Sequence, residues 1–194
     1  MSFRPLIYSS EPNPLIGSSF GPLLEIRHLH DIVLNFHSWR YHCSSSDICA
    51  MAESWPELRT LAVRCTFSGI PPSVIATAEF ARLCSNLQRL EFTCLSYPDS
   101  IPLDEYSQSC HGLEKFVVDD LSPRQFFEHD GPLRKHIDEQ GEGLVDLARF
   151  LGRVFPRIDA ARLCNKTELL SVDYINCMDK LYAQLLQSLA DHDD

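Results

Sequence analysis

The apolar positions of this chain follow one short pattern that recurs along its length. The stretches WPELRTLAVRC, from Trp55, and CSNLQRLEFTC, from Cys84, both have apolar residues at their first, fourth, seventh and ninth positions, and both end on cysteine. A single match carries little weight, because 44% of the residues are hydrophobic. Recurrence at a similar interval is therefore the informative signal.

The pattern occurs five times, with copies that start 29, 29, 26 and 45 residues apart. The apolar positions of the copies are Ile26, Leu29, Ile32, Leu34; Trp55, Leu58, Leu61, Val63; Cys84, Leu87, Leu90, Phe92; Cys110, Leu113, Phe116, Val118; and Phe155, Ile158, Ala161, Leu163. Three similar intervals indicate a repeated unit, and the longer fourth interval indicates an insertion. The fifth copy is the weakest, because Ala161 replaces a large apolar residue.

Each unit changes its period from helical to extended. In RTLAVR, Leu61 and Val63 alternate with polar or small residues, as in a strand with one buried face. In the preceding SSSDICAMAESW, the apolar spacing of three and four predicts a helix that Ser46 or Asp47 caps. The same reading predicts two further helices, one over PPSVIATAEFARLC and one over EGLVDLARFLGRVF, with these inward residues: Ile75, Ala78, Phe80, Leu83, Leu144, Leu147, Leu151, Val154. The fourth copy has room only for a turn before it.

A unit of helix, turn and strand cannot bury its apolar face alone, so the units are expected to stack. We predict an α/β leucine-rich-repeat solenoid of about five irregular repeats, with parallel strands on one face and helices on the other. The array covers residues 23–166, after an N-terminal extension at 1–22, and contains an insertion at 120–142. Apolar residues at helical spacing from Leu170 to Leu189 predict a C-terminal capping helix within 167–194, with dimerisation as the alternative role.

These motifs also carry a family resemblance. A resemblance to the leucine-rich-repeat region of F-box proteins, particularly the divergent fungal ones, covers residues 20–165. It rests on three motifs and on their order along the chain: SSDICAMAESWPELRTLAV, CSNLQRLEF and DLARFLGRVFPRI. The resemblance implies a substrate receptor of a ubiquitin-ligase complex, in which the repeats select the protein to be ubiquitinated. The first 25 residues lack the three-helix pattern of an F-box, so a ligase adaptor is expected as a partner only if an F-box is supplied elsewhere.

Charge and composition narrow the function further. A formal net charge of -10 disfavours nucleic acid and anionic membranes as partners. The absence of a long apolar run or a secretory signal pattern predicts a cytoplasmic or nuclear protein, and the eight cysteines are then expected as free thiols. The expected function is non-catalytic recognition of another protein or peptide. A structural or vestigial repeat fragment is the alternative.

The candidate binding surface consists of the residues between the buried ones on each strand. It carries cations on three successive copies, at Arg64, Arg89 and Lys115, which would repel unless Glu91 or an acidic group of a partner compensates them. We expect the cations to receive an acidic side chain or chain terminus, with Val33, Ala62 and Val117 giving apolar contact. The partner-binding candidates on this face are Arg64, Arg89, Glu91, Lys115, Val117, Asp119 and Arg162. A merely solvated sheet face is the plain alternative.

The insertion offers a second candidate surface. Ser122, Pro123 and Gln125 fit the start of a capped helix, followed by the adjacent aromatics Phe126 and Phe127. One of the two rings could lie near a partner groove, although burial of both under the loop is the simpler outcome.

Two chemical alternatives remain weak. GSSFG fits a hydrolase elbow with Ser19 as nucleophile, but the crowding prolines Pro12, Pro14 and Pro22 favour a loop. The histidines His28, His30, His37 and His42, beside Cys43, could contribute to a zinc site only if an adjoining loop supplied further ligands. We therefore predict no catalytic residue, no metal and no cofactor.

Overall fold

The structure is a computed structural model that describes residues 21–67, 69–106, 111–123 and 141–158, with two isolated helical positions at 183 and 187. Its longer elements, in chain order, are β1 (Asp31–Tyr41), α1 (Ser45–Ser54), β2 (Thr60–Phe67), α2 (Ala78–Leu83), β3 (Arg89–Tyr97), β4 (Lys115–Pro123) and α3 (Gly141–Val154). Two short 3-10 helices lie at Val74–Thr77 and Leu103–Glu105, and residues 21–24 are also helical. The protein is thus a mixed α/β structure, as predicted.

The four strands form one parallel sheet in the order β1-β2-β3-β4. Their register aligns the copies of the sequence pattern, because Leu61 pairs with Leu90 and Leu90 pairs with Phe116. Ile32 on β1 pairs with Leu61 in the same row. The prediction that these positions lie on neighbouring strands is therefore confirmed.

The inward residues of the strands build the core together with one face of the helices. Leu61, Val63, Leu90, Phe116 and Val118 are fully buried, and the same core cluster contains Ile48, Met51 and Ala52 of α1. Trp55 and Leu58, at the first positions of the second copy, are also fully buried. Ile26 departs from the prediction, because it is 50% exposed in a turn before β1. Ile26 is apolar as the pattern requires, but it is not buried as Trp55 and Cys84 are at the same position of the second and third copies.

The N-cap of α1 lies two or three residues before the predicted one. Ser44, rather than Ser46 or Asp47, is the N-cap, and its hydroxyl accepts a hydrogen bond of 3.3 Å from Asp47 N. Asp47 Oδ2 accepts in return from Ser44 N at 2.7 Å. These reciprocal bonds form a capping box, which satisfies two backbone donors that the first turn of a helix leaves unpaired.

Replacing this cap gives a first test of the fold. Ser44→Ala removes the hydroxyl acceptor at the start of α1, so we expect the free energy of unfolding to fall by about 1 kcal/mol. Urea denaturation followed by circular dichroism measures the change. Ser46→Ala is the matched control, because the Ser46 hydroxyl lies 2.7 Å from that of Ser44 but Ser46 is not the N-cap of the helix. Since alanine has a higher helix propensity than serine, an equal loss in both variants would contradict capping by Ser44 as its cause.

The second helical segment begins where proline and serine predict it. Ser73 caps the 3-10 turn Val74–Thr77 and accepts from Ile75 N at 3.3 Å, and α2 follows directly. Phe80 is fully buried, whereas Ile75, Ala78 and Leu83 are partly buried against the core. On α3, Leu147, Leu151 and Val154 are buried as predicted, and Ala148 and Phe150 join them. Before the fourth copy the structure has the short 3-10 turn Leu103–Glu105, as its limited room predicts.

Equivalent hydrogen bonds recur at the ends of the three α-helices. The amides of Trp55, Cys84 and Phe155, the first residues of copies two, three and five, each bond to a carbonyl four residues earlier. Three residues later, Leu58, Leu87 and Ile158 each bond back to those first residues. The strands also begin alike, because His30 O, Arg59 O and Gln88 O each accept two amides from the next strand's entry. The sequence pattern therefore corresponds to a repeated backbone conformation.

In the fourth copy a side chain takes part in this turn. His111 is buried, its Nδ1 accepts from Leu113 N at 3.1 Å, and its Nε2 lies 2.8 Å from Cys84 O. Because Nδ1 accepts a backbone proton, these bonds specify the neutral ring with its proton on Nε2. The ring also packs edge-on against Phe155, with centroids 5.7 Å apart. His111 thus joins the third copy to the start of the fifth.

The fourth strand is longer than the sequence predicted. β4 continues through Ser122 and Pro123, where the capping motif predicted the start of a helix, so the insertion begins after Pro123. α3 begins at Gly141, within the range 120–142 assigned to the insertion. Several predictions lie outside the described residues: the N-terminal extension up to residue 20 with Ser19, the aromatics Phe126 and Phe127, Arg162 with residues 159–166 of the array, and the capping helix apart from positions 183 and 187.

Candidate functional site

The residues that alternate with the core form three rows across the outer face of the sheet. The register places Asp31, Thr60, Arg89 and Lys115 in the first row, and Val33, Ala62, Glu91 and Val117 in the second. The third row begins with the pair Asn35 and Arg64, and Thr93 and Asp119 follow at the corresponding positions of β3 and β4. Strand alternation thus brings the predicted candidates of three strands onto one surface.

Glu91 is the centre of this surface. Its Oε2 accepts from Arg64 Nη2 at 2.9 Å, and its Oε1 accepts from Arg89 Nε at 2.7 Å. Arg89 Nη2 also contacts Oε1, and Lys115 Nζ lies 3.5 Å from the same oxygen. The Glu91 side chain is only 8% exposed, whereas those of Arg64, Arg89 and Lys115 are 46%, 42% and 32% exposed. We call these four residues the Glu91 cluster.

The cluster resolves the repulsion that the sequence predicted among its three cations. Burial acts to raise the pKa of Glu91, but the hydrogen bonds from Arg64 and Arg89 and the charges of Arg89 and Lys115 outweigh it, so the pKa lies below its ordinary value. Glu91 is therefore an ionised, nearly inaccessible carboxylate at neutral pH. With three cations and one carboxylate, the cluster has a net charge of +2.

Asp119, in the third row, adds a second carboxylate next to the cluster. Burial raises its pKa, Arg64 lowers it and Glu91 raises it, and the net pKa lies above the ordinary value. The upward direction fits a partly desolvated carboxylate near Glu91, whose negative charge adds to the effect of burial. Asp119 therefore partly offsets the positive charge on the Arg64 side of the cluster.

The predicted apolar contacts on this face are mostly unavailable. Ala62 is 2% exposed and Val117 is 4% exposed, so neither offers appreciable surface to a partner. Val33, on the outer strand β1, is 62% exposed. The accessible part of the described surface consequently includes the three cations, with Val33 as an apolar flank between the exposed polar residues Asp31 and Asn35 of β1.

A side chain also holds the backbone next to the cluster. The ladder between β2 and β3 is registered from Thr60 with Arg89 to Val63 with Phe92. Just beyond it, Thr93 Oγ1 accepts from Cys65 N at 3.1 Å and lies 3.5 Å from Val63 O. The Thr93 hydroxyl thus bonds with β2 where the direct ladder ends, and it fixes the spacing of the strands that carry Arg64 and Glu91.

Two histidines of the first copy, His28 and His30, are paired with the carboxylate of Glu57. His28 Nδ1 and His30 Nε2 lie 3.0 and 3.1 Å from separate oxygens of Glu57, which belongs to the turn before β2. Hydrogen bonds from both rings lower the pKa of this exposed carboxyl. His42 is separate from this pair, and its Nδ1 is buried without a hydrogen-bond partner. Among the described residues, no group of three or more His, Cys, Asp or Glu side chains could hold a metal ion.

Three of the five described cysteines are small core residues, whereas Cys49 and Cys94 are only partly buried. Cys43, Cys65 and Cys84 are free and buried, and burial raises the pKa of the Cys65 and Cys84 thiols to about 11. A thiol with a raised pKa is a poor nucleophile at neutral pH, because the thiolate is the reactive form.

A groove of about 300 Å³ lies on the helix side of the sheet and is lined by residues that include Glu79, Arg82, Glu105 and Tyr106. Its one cation is already engaged, because Arg82 donates two hydrogen bonds to Glu79, at 2.9 and 2.6 Å. Burial raises the pKa of Tyr106, and the charges of Glu105 and Glu79 raise it further. The groove therefore has less capacity to bind a charged group than the outer face of the sheet.

Comparisons with family models, with curated proteins and with solved structures give no match to this chain. Within the part of the chain that the structure describes, no helix has the length and apolarity to cross a membrane.

The sequence correctly placed all described candidates on one face of the sheet. It did not predict that Glu91, Ala62 and Val117 are buried there by their neighbours. The alternating pattern assigns Glu91, Ala62 and Val117 to the outside, and it contains no signal that long neighbouring side chains cover them. It also missed the pairing of His28 and His30 with Glu57. The regular interval between copies could have revealed that pairing, because it brings the turn at residues 55–58 beside the entry to β1.

Proposed function

We propose that this chain is a leucine-rich-repeat module that recognises another protein through the outer face of its parallel sheet. The repeated helix ends and strand entries support the repeat assignment, since hydrogen bonds recur at the matching positions of the copies. A stacked array presents one continuous face made of equivalent positions on successive strands, which suits the binding of an extended surface.

The single observation that carries the proposal is the Glu91 cluster. Burying a carboxylate has a desolvation cost, and ion pairs of this type are weak evidence of a gain in stability. Here the pairs hold three half-exposed cations from three strands in fixed positions on an otherwise acidic protein. Fixed cations on a continuous face favour a directional protein contact, because complementary charges contribute to orientation and association rate.

The ubiquitin-ligase role belongs to the same proposal as its more specific form. It rests on the resemblance of the repeat motifs to those of F-box proteins, in which the repeats select the substrate. In this form the outer face binds the protein to be ubiquitinated, and the adaptor is bound through an F-box supplied elsewhere. A structural repeat fragment without a partner is the alternative, and the following experiment separates the two.

Site-specific photo-crosslinking tests the binding face. A benzophenone amino acid is placed at Val33, which is exposed on the outer face, or at Glu53, which is exposed on α1. We expect a protein adduct from position 33 in extracts of the source cells, and little or none from position 53. Adducts from position 53 alone, or from neither position, would contradict binding through this face.

The cations are then tested in the position-33 background. Arg64→Gln with Lys115→Gln removes two charges but keeps Arg89, which holds Glu91 through two nitrogens. We expect the adduct yield to fall by at least about tenfold, because a single charge-assisted contact contributes roughly 1.5–3 kcal/mol and about 1.4 kcal/mol already corresponds to tenfold in affinity. Arg82→Gln, at an exposed ion pair on the helix side, is the matched control. An unchanged yield with the fold intact would show that the partner contacts the outer face without these cations, which would contradict the role proposed for the Glu91 cluster.

A further inference from the structure

The three cations of the Glu91 cluster have more hydrogen-bonding capacity than Glu91 uses. A guanidinium carries five N–H donors and an ammonium carries three. Arg64 contacts Glu91 through Nη2 alone, Arg89 through Nε and Nη2, and Lys115 only at 3.5 Å. Within the described part of the chain, these three side chains have no other hydrogen bond or ion pair. Most of their donors therefore remain for a ligand.

The charge of the surroundings limits what that ligand is. The cluster itself has two positive charges in excess, and Asp119 lies close enough to it that the charges of Arg64 and Glu91 act on the pKa of its carboxyl. Counting Asp119, one positive charge remains. A singly charged anion is therefore matched, whereas a doubly charged phosphoryl group would leave an excess of negative charge beside Glu91.

Glu91 also determines the geometry of the donors. Its two oxygens anchor Arg64 on one side and Arg89 on the other, so the two guanidinium groups are held on either side of one carboxylate. Anchored in this way, they lose less side-chain entropy when a ligand binds than free arginines would. A planar carboxylate suits two fixed guanidinium groups, because it accepts from each in a directional manner.

We propose that the Glu91 cluster is a binding site for the carboxylate of an aspartate or glutamate side chain on the bound protein. The proposal rests on the recognition function proposed above and names the chemical group that it recognises. The cluster lies within the sheet face, with β1 and Val33 beyond it on one side. A polypeptide that crosses the strands thus presents side chains to the cluster, and the accessible Val33 receives an apolar residue beside the acid.

Arginine side-chain NMR with small probes tests the site without the partner. The full chain, with labelled arginines, is titrated with acetate, with its neutral isostere acetamide and with inorganic phosphate, all at constant ionic strength because salt screens these charges. We expect saturable shifts of the Arg64 and Arg89 Nε–H signals with acetate and none with acetamide. Equal shifts with acetamide, or no saturation with acetate, would overturn the proposal, as would preferential binding of phosphate.

Two variants separate binding at the cluster from general attraction to the protein. Arg64→Gln is expected to weaken acetate binding by about tenfold, whereas Arg82→Gln is expected to leave it unchanged. Glu91→Gln removes the negative charge from the centre, so we expect it to raise the affinity for phosphate relative to acetate. If that ratio stays the same in folded Glu91→Gln, the charge-matching argument is wrong.

A last pair of probes distinguishes the source of the carboxylate. N-acetyl-aspartate with its C-terminus blocked as an amide presents only a side-chain carboxylate, and N-acetyl-glycine presents only a terminal one. We expect the blocked aspartate to bind at least as well as the free terminus, and a clear preference for the terminus would contradict the assignment. These titrations need no partner, so their failure is distinct from a failure of the crosslinking experiment, which tests whether the face binds a protein at all.

Discussion

Phe116→Ala is expected to lower the free energy of unfolding by about 3–5 kcal/mol, a large part of the stability of a domain of this size. Phe116 is fully buried on β4, pairs in register with Leu90, and stacks on Phe155 with ring centroids 5.9 Å apart. The substitution removes apolar contacts on the strand side and on the Phe155 side, and the surrounding sheet can close the cavity only in part. Urea denaturation at equilibrium measures the loss.

Val33→Ala is the matched control for this substitution. It shortens an apolar side chain of the same sheet, but on the exposed outer face of β1, so we expect a change within about 0.5 kcal/mol. If Phe116→Ala were as mild as Val33→Ala, the register that places Phe116 beside Leu90 would be wrong. Phe155→Ala should show a loss similar to that of Phe116→Ala, because the two rings share one contact.

The register of the sheet could be predicted because burial and spacing agree at the same positions. Leu61, Leu90 and Phe116 occupy the seventh place of successive copies, and strand alternation leaves only one face on which all three can be buried. A shift by one residue would expose all of them and bury Arg64 and Lys115 instead. The free-energy difference between those registers is large, so the sequence determines the pairing.

Local capping was less predictable, for a physical reason. Ser44, Ser45 and Ser46 are consecutive, and each hydroxyl is a competent N-cap. The choice depends on where the chain leaves β1, and Cys43 is buried immediately before the cap. Only Ser44 then has Asp47 three residues ahead for a capping box. The tertiary position of Cys43, which composition does not reveal, thus selects the cap.

The end of β4 shows a similar competition. Ser122 and Pro123 match the start of a helix as well as they match the end of a strand, because proline lacks the N–H that both positions can spare. In the structure, Ser122 pairs with Ser96 and Pro123 pairs with Tyr97. Pairing with the neighbouring strand therefore decides the matter, and a reading of the local sequence alone cannot include it.

The binding candidates were predictable in position but not in environment. Alternation places Arg64, Arg89, Glu91 and Lys115 on the outer face, as the structure does. The burial of Glu91 depends on the length and direction of the side chains on both neighbouring strands. The burial of Glu91 can therefore be seen only when the strand register is combined with the positions of the side chains. It matters because substitutions of the cations are then expected to affect stability as well as binding.

Charge reversal of the cations is therefore expected to harm the fold. Arg89→Glu with Lys115→Glu places two carboxylates beside buried Glu91 and removes the partner that holds Oε1 through two nitrogens. We expect the free energy of unfolding to fall by about 3 kcal/mol, since an uncompensated buried charge is among the costliest local changes. Reversing the exposed pair Glu79 and Arg82 is the matched control, with a change within about 0.5 kcal/mol.

The loss of stability in the reversed variant is expected to depend on pH. In the native protein the pKa of Glu91 lies below its ordinary value of 4.5, so its stabilising contribution is present at neutral pH and is lost as the pH falls through the lowered value. In the reversed variant, burial and the new carboxylates raise the pKa of Glu91, so its protonation relieves repulsion as the pH falls. We therefore expect the difference in stability between the native protein and the variant to be largest near neutral pH and to shrink in acid. Urea denaturation at several pH values measures it, and a difference that stays constant from pH 7 into the acid range would show that the loss arises from packing rather than from the charge of Glu91.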